Sequence, residues 1–143
     1  MRILVIHGPN LNLLGTREPE IYGSKTLADI DDEIAKLARE IGVDVRCVQH
    51  NGEGAIIDEL HAARGTYDAI VINPGAYTHY SYAIADAVAA TSIPTIEAHL
   101  SNIDAREAFR RTSVVAPHCA GSVRGLGSQS YLCALRAAAA LVK

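Results

Sequence analysis

The alternation of strand-like and helical segments along the whole 143-residue chain constrains the fold more than any other feature. Short β-branched, apolar runs are followed repeatedly by segments with apolar residues at helical spacing. Such alternation predicts parallel strands joined by right-handed crossovers. We therefore expect an α/β fold, a flavodoxin-like doubly wound five-stranded parallel sheet with helices on both faces, in one domain over residues 1–143. The predicted strands are 2–7, 43–49, 68–73, 95–98 and one within 113–124, and the predicted helices are 27–41, 53–64, 81–90, 104–111 and 131–142.

Local signals set the bounds of the first long helix. Thr26 precedes it, and Asp29 three residues later completes an approximate capping box. Gly42 follows its last apolar residue and is expected to end it.

Composition excludes several classes of protein. Hydrophobic residues make up 49% and charged residues 20%, which is not the composition of a disordered chain. The net charge of -3, without a basic stripe, predicts no nucleic-acid partner. The apolar N-terminal run is too short for a secretion signal, and no run reaches the ~18 apolar residues of a membrane span. We expect a cytoplasmic protein with no membrane association, whose widely spaced Cys47, Cys119 and Cys133 are small, buried, reduced residues.

The usual cofactor and metal motifs are absent. The Gly125–Gly127 segment is followed by Ser130, where a dinucleotide fingerprint has its third glycine. No phosphate-binding GK[ST] loop and no HExxH is present, and no close His/Cys cluster indicates a metal. None of the three lysines follows a strand, where a Schiff-base lysine is expected. The prediction is a site with no cofactor and no metal.

Polar side chains follow three of the predicted strands. In a doubly wound sheet, ligands bind outside the carboxyl ends of the strands at the switch point. Single polar loop residues are ordinary, but their concentration at one edge, with few acids, predicts a binding site. These residues are Asn10 and Asn12 after the first strand, Asn73, Tyr77, Thr78 and His79 at the third, and His99, Ser101 and Asn102 at the fourth.

Two pairs of residues could carry acid–base chemistry. Glu97 and His99 are two apart on a strand, so their side chains share a face, and the carboxylate can fix the imidazole tautomer and favour its protonated form. A buried histidine that merely satisfies its neighbour fits this pair equally well. Tyr22 follows Arg17 by five residues, and a guanidinium can lower the phenol pKa from its usual ~10. On these residues alone, packing of Tyr22 and solvation of Arg17 is the favoured interpretation.

Five motifs in order resemble the type II 3-dehydroquinases, also called 3-dehydroquinate dehydratases. The similarity runs nearly from end to end and includes Gly125–Gly127 and Tyr131 near the C-terminus. The motifs are His7–Gly15 with its GPNLN core, Arg17–Gly23, Gln49–Gly54, Asn73–His79 and Glu97–Asn102.

This resemblance implies a catalytic domain for the reversible anti elimination of water from 3-dehydroquinate, giving 3-dehydroshikimate in the shikimate or quinate pathway. Tyr22 as phenolate would remove the proton beside the ketone. A water held by Asn10 would stabilise the resulting enol(ate), and His99 would protonate the departing hydroxyl. Arg17 would lie on a lid over the substrate and lower the pKa of Tyr22, and Glu97 would orient His99.

The resemblance also implies substrate-binding residues and an assembly. Leu100 and Ser101 would bind the substrate carboxylate through backbone N–H groups, and Asp86 would reach into a neighbouring subunit's site. The family forms trimers grouped into a dodecamer, so a homo-oligomer is expected. The implied binding residues are Asn73, His79, Asp86, Leu100, Ser101 and Arg110.

Two other functions use the same scaffold. A non-catalytic sensor of a quinate-like acid would keep Asn73, Ser101 and Arg110 but would lose Tyr22 or His99, and both are present. A flavin-binding relative would need a phosphate loop after the first strand, which this chain lacks. Both rank below the dehydratase.

Overall fold

The computed structural model contains one sheet of five parallel strands, and it describes residues 1–16, 18–22 and 24–143, with the side chain of Tyr22 left out. The strand order is β2-β1-β3-β4-β5, so the direction of winding reverses between β1 and β3. The flavodoxin-like sheet predicted from the sequence is confirmed. Its strands are β1 (Arg2–His7), β2 (Asp44–Gln49), β3 (Ala69–Asn73), β4 (Thr95–His99) and β5 (Gly121–Arg124).

Helices cover both faces of the sheet. The helices are α1 (Pro19–Tyr22), α2 (Leu27–Ile41), α3 (Glu53–Ala63), α4 (Tyr82–Thr91) and α5 (Gln129–Leu141). Helices α2 and α5 pack on one face, and α3 and α4 pack on the other.

The alternation of side chains along each strand divides the core into two layers. On β1, Ile3 and Val5 face α2 and α5, whereas Leu4 and Ile6 face α3 and α4. All four are at most 1% exposed, so each contributes roughly 1.5–3 kcal/mol through burial. His7 continues the first series, which places its side chain on the α2–α5 side at the carboxyl end of β1.

The predicted capping of α2 is confirmed. The Asp29 backbone N–H donates to Thr26 Oγ1 (3.1 Å), and the Thr26 backbone N–H donates to Asp29 Oδ2 (3.0 Å). Gly42 ends the helix with φ 72°, a left-handed conformation that glycine adopts at little cost.

One predicted element differs from the structure. The helix expected at 104–111 is instead a pair of 3₁₀ turns, Ile103–Ala105 and Ala108–Arg110. Arg106 and Glu107 between the turns have extended backbones (ψ -165° and 150°), which interrupts the helix. The fifth strand lies within the range 113–124 predicted for it, but it has only four residues, and the two largest of its side chains are half-buried.

The cysteines are less buried than predicted. Cys47 and Cys119 are half-buried and Cys133 is exposed, so the expectation of three buried residues is wrong for Cys133. Cys133 lies on the outer side of α5, where the apolar pattern does not separate a core position from a surface one. Within the described residues, no helix is both long enough and apolar enough to cross a membrane.

Close packing at the switch point depends on Gly8. Its backbone N–H donates to the Asn73 carbonyl (2.8 Å), which continues the pairing of β1 and β3 beyond both strands. A Cβ at this position would lie 2.6 Å from the carbonyl carbon of Pro74 and 2.7 Å from the Asn73 oxygen. Only glycine therefore lets the two loops leave the sheet side by side and form the floor of a cleft.

Candidate active site

A cleft lies at the carboxyl ends of β1, β3 and β4. Its lining comes from the ends of these strands and from the loops that follow them. Seven of the residues singled out from the sequence line it, namely Asn10, Asn73, His79, His99, Leu100, Ser101 and Arg110. The structure therefore brings together residues that are up to one hundred positions apart in the chain.

The cleft favours an anion. Arg106 and Arg110 line it, and none of the described residues that line it is acidic. Arg110 Nε donates to Glu107 Oε2 (2.5 Å), and its guanidinium lies over the Phe109 ring, 4.7 Å from the centroid. A guanidinium has five N–H donors, so these contacts orient Arg110 while leaving donors for a carboxylate.

Behind His99, a buried carboxylate fixes the imidazole ring. Glu97 is 0% exposed and His99 is 5% exposed. His99 Nε2 hydrogen-bonds Glu97 Oε2, which confirms that the two side chains share a face of the sheet. Because Nε2 is engaged by Glu97, Nδ1 is the ring nitrogen left to act toward the cleft.

Glu97 stays charged despite its burial. Burial raises the pKa of this carboxyl, but the hydrogen bond and charge of His99 lower it, and the Thr78 and Ser113 hydroxyls lower it further. The net result is a pKa below the ordinary glutamate value. Thr78 Oγ1 donates to Oε2 (2.5 Å), and Ser113 Oγ donates to Oε1 (2.9 Å). These bonds hold the carboxylate, and through it His99, in one orientation.

We expect Glu97→Gln to lower the free energy of unfolding by about 3 kcal/mol at neutral pH, because buried donors lose the carboxylate that accepts their hydrogen bonds. The glutamine amide nitrogen would be a donor in place of an acceptor oxygen, and it would face the donors of Thr78, His99 and Ser113. Since the folded state lowers the pKa of Glu97, its carboxylate stabilises the fold above its unfolded pKa of ~4.3. That stabilisation is lost as the pH falls through the folded pKa. Urea denaturation across this range should therefore show a weaker pH dependence in the variant.

Glu53→Gln is the matched control for this prediction. Glu53 also accepts a hydroxyl hydrogen bond, from Ser81, but at a part-buried site away from His99. Its loss should cost about 1 kcal/mol, as for an ordinary hydrogen bond. Equal losses in the two variants would show that burial and charge at Glu97 add nothing.

His79 presents an acceptor to the cleft. Its Nδ1 donates to the Thr112 carbonyl oxygen (2.8 Å), so Nε2 carries the lone pair in the neutral ring. Burial lowers the pKa of His79, and His99 and Arg110 lower it further against the opposing effect of the Thr112 bond. A neutral imidazole with an accepting nitrogen is suited to a hydroxyl group of a ligand.

Asn10 lies on a loop that is held by its neighbours. Its backbone N–H donates to Asn51 Oδ1 (3.1 Å), and Gln49 Nε2 donates to the same oxygen (3.0 Å). Asn10 has φ 68°, a left-handed conformation that asparagine tolerates better than most residues. Because the backbone carries the loop contacts, the exposed Asn10 side chain stays available at the cleft.

Four of the predicted site residues do not line the cleft or cannot be placed there, and one of them, Glu97, lies behind His99. Asp86 is exposed on α4 and is not among the residues that line the cleft. Arg17 and the side chain of Tyr22 lie outside the described residues. Their neighbour Glu18 is described, and its Oε2 lies 3.9 Å from Arg106 Nη2, so the chain before α1 approaches the cleft.

Sequence reasoning missed two features. Arg106 lines the cleft, and the signal was its position between β4 and Arg110 in a segment rich in arginine. The sequence contains no close His/Cys cluster, but the fold brings potential ligand atoms of His7, Asp31 and Cys47 within 4.8 Å of one another. These three residues come from α2 and the carboxyl-terminal halves of β1 and β2, and their spacing in the chain does not predict that they meet.

Comparison with known proteins gives one family. The family described as dehydroquinase class II matches residues 1–139. The 3-dehydroquinate dehydratase of Pelotomaculum thermopropionicum is 60% identical over 141 residues, covering 99% of this chain and 98% of that protein. The corresponding protein of Desulforudis audaxviator is 58% identical, covering 99% and 95%.

Solved structures agree with these sequence matches. The type II dehydroquinase of Butyrivibrio crossotus superposes with a TM-score of 0.96 at 48% identity, covering 97% of each chain. That of Propionibacterium acnes has a TM-score of 0.94 at 45% identity, covering 97% of this chain and 96% of its own. The similarity therefore covers the sheet, both helical layers and the cleft.

Proposed function

We propose a residue-level mechanism for this chain, which belongs to the class II dehydroquinases. Its activity is that of a type II 3-dehydroquinate dehydratase. The observation that carries the proposal is the cationic cleft whose polar residues surround His99, with His99 held from behind by a buried, charged Glu97. The proposed reaction is a reversible anti elimination through an enol(ate), carried out by one domain that spans the chain.

The first step is removal of the proton beside the ketone. Tyr22 as phenolate accepts this proton, and Arg17 favours the phenolate. The electron pair moves onto the ketone oxygen, where a water held by Asn10 donates a hydrogen bond to the enolate. The proposal is supported by Glu18, next to Arg17 in the sequence, whose carboxylate lies 3.9 Å from the Arg106 guanidinium at the cleft.

The second step expels the hydroxyl group. The enolate electron pair returns to form the carbon–carbon double bond as the carbon–oxygen bond breaks. His99 Nδ1 gives a proton to the departing oxygen, so the product is water. Glu97 keeps Nε2–H engaged and the ring fixed throughout. Proton exchange with solvent then restores His99 and Tyr22.

The remaining cleft residues bind the substrate. Backbone N–H groups of Leu100 and Ser101 bind its carboxylate, and Arg110 adds charge. Asn73 and His79 contact its hydroxyl oxygens. The exposed position of Asp86 on α4 leaves it free to reach a neighbouring subunit, in trimers that assemble into a dodecamer. We further propose a cytoplasmic location and a role in the shikimate or quinate pathway.

The direct test is a spectroscopic assay with 3-dehydroquinate. An enone absorbance should appear on mixing, and neither a chelator nor borohydride should abolish it, because the mechanism needs no metal and no imine. Inactivation by borohydride in the presence of substrate would show a lysine imine and would overturn the mechanism. Sedimentation of the purified protein tests the assembly, and a monomer with full activity would contradict the role of Asp86.

A further inference from the structure

A second polar network lies on the opposite face of the sheet from Glu97 and ends at Asn73. Asn73 Nδ2 donates to Tyr131 Oη (3.0 Å), Tyr131 Oη contacts His7 Nδ1 (2.8 Å), and His7 Nε2 contacts Asp31 Oδ1 (2.7 Å). His7, Tyr131 and Asn73 are at most 3% exposed. The mechanism proposed above does not use His7, Tyr131 or Asp31.

The direction of every hydrogen bond in this network can be worked out. The Gly75 backbone N–H donates to Asn73 Oδ1 (3.0 Å), which fixes the amide with Nδ2 toward Tyr131. An amide nitrogen cannot accept, so the Tyr131 proton must go to His7 Nδ1. Nδ1 is then unprotonated, and Nε2–H donates to Asp31. Burial raises the pKa of Tyr131, so its hydroxyl keeps the proton that this arrangement needs.

These hydrogen-bond directions also distinguish two possible uses of the network. One is a metal site, and the other is a relay, meaning the chain of hydrogen bonds from Asp31 through His7 and Tyr131 to Asn73. A metal bound by His7, Asp31 and Cys47 needs the Nε2 lone pair, which would move the ring proton to Nδ1. Tyr131 would then receive two donors and keep an unpaired hydroxyl proton in a fully buried site, which is costly. Burial and the Asp31 carboxylate raise the pKa of the Cys47 thiol, which opposes the thiolate that a metal prefers. The geometry therefore favours the hydrogen-bond relay.

We propose that Asp31, His7 and Tyr131 are positioning residues that hold Asn73 with one N–H directed to the substrate. The proposal rests on the proposed binding role of Asn73. Since one Nδ2 hydrogen is engaged by Tyr131, the second Nδ2 hydrogen is the donor that Asn73 offers to the cleft. The substrate group that meets this hydrogen must therefore present an acceptor oxygen, such as a hydroxyl or carboxylate oxygen.

The first test is a double-mutant cycle of Tyr131→Phe with Asn73→Ala. Tyr131→Phe should raise KM about tenfold with kcat nearly unchanged, since Asn73 binds ground state and transition state alike. In the Asn73→Ala background, Tyr131→Phe should raise KM no further. A full additional rise in that background, or a loss confined to kcat, would overturn the proposal. Tyr67→Phe makes the same change at the opposite edge of the sheet and should leave KM unchanged.

A second test does not depend on activity. Long-range proton–nitrogen NMR of the free protein can report the tautomer of each of the six histidines, and the His7 signals are those that disappear in His7→Gln. His7 should have Nδ1 unprotonated and Nε2 protonated. A proton on Nδ1 would overturn the relay whether or not the enzyme turns over. If Tyr131→Phe does not fold, Asp31→Ala at the partly exposed end should still raise KM about threefold. An unchanged KM in Asp31→Ala would count against the relay in that case, and absent wild-type turnover would instead contradict the proposed function.

Discussion

Replacing Tyr22 by phenylalanine should lower kcat for dehydration roughly 100- to 10,000-fold, the usual range for loss of a general base. The phenol oxygen is the atom that the mechanism assigns to the proton beside the ketone, and phenylalanine removes that atom alone. KM should change little, because the groups proposed to bind the substrate remain. Steady-state kinetics by enone absorbance measures both constants.

The control for Tyr22→Phe is Tyr67→Phe. Tyr67 is half-buried beside Arg2 at the amino-terminal edge of the sheet, far from the cleft. Its loss should leave kcat unchanged. Turnover by Tyr22→Phe at the wild-type rate would falsify the base assignment, and a parallel loss in Tyr67→Phe would point to a general effect on folding.

Sequence patterns predicted the start of α2 and the bounds of β1, because interactions between residues close in the chain determine both. Thr26 and Asp29 satisfy each other across three residues, so the start of α2 follows from the sequence alone. β1 has the bounds predicted for it, because a run of buried β-branched residues is interrupted at both ends. The two 3₁₀ turns after β4 could not be predicted, since extended backbone at Arg106 and Glu107 breaks a segment that has helical propensity.

The two polar networks also differ in how far the sequence could predict them. Glu97 and His99 are two residues apart on one strand, so their shared face followed from the alternation of side chains. His7 meets Asp31 and Tyr131 across 24 and 124 residues, and only the packing of α2 and α5 on β1 brings them together. Sequence motifs suggested which residues matter at the cleft. The hydrogen-bond partners that hold those residues in place became clear only from the tertiary fold.

The acid and base roles can be separated with His99→Gln. This change should lower kcat for dehydration roughly 100- to 10,000-fold, because glutamine cannot give a proton to the departing hydroxyl. The base step does not need His99, so the variant should still exchange the substrate hydrogen beside the ketone with solvent deuterium. Tyr22→Phe should lose this exchange together with dehydration. Proton NMR of substrate recovered from deuterium oxide measures exchange, and enone absorbance measures dehydration.

His118→Gln provides the matched control for that experiment, since His118 is exposed on a turn away from the cleft and its loss should change neither rate. Exchange that disappears in His99→Gln would mean that His99 takes part in proton removal, and the two roles would have to be reassigned. Exchange that persists while dehydration is lost requires an enolate that forms and returns on the enzyme. That result would place the Glu97–His99 pair at the step in which the carbon–oxygen bond breaks.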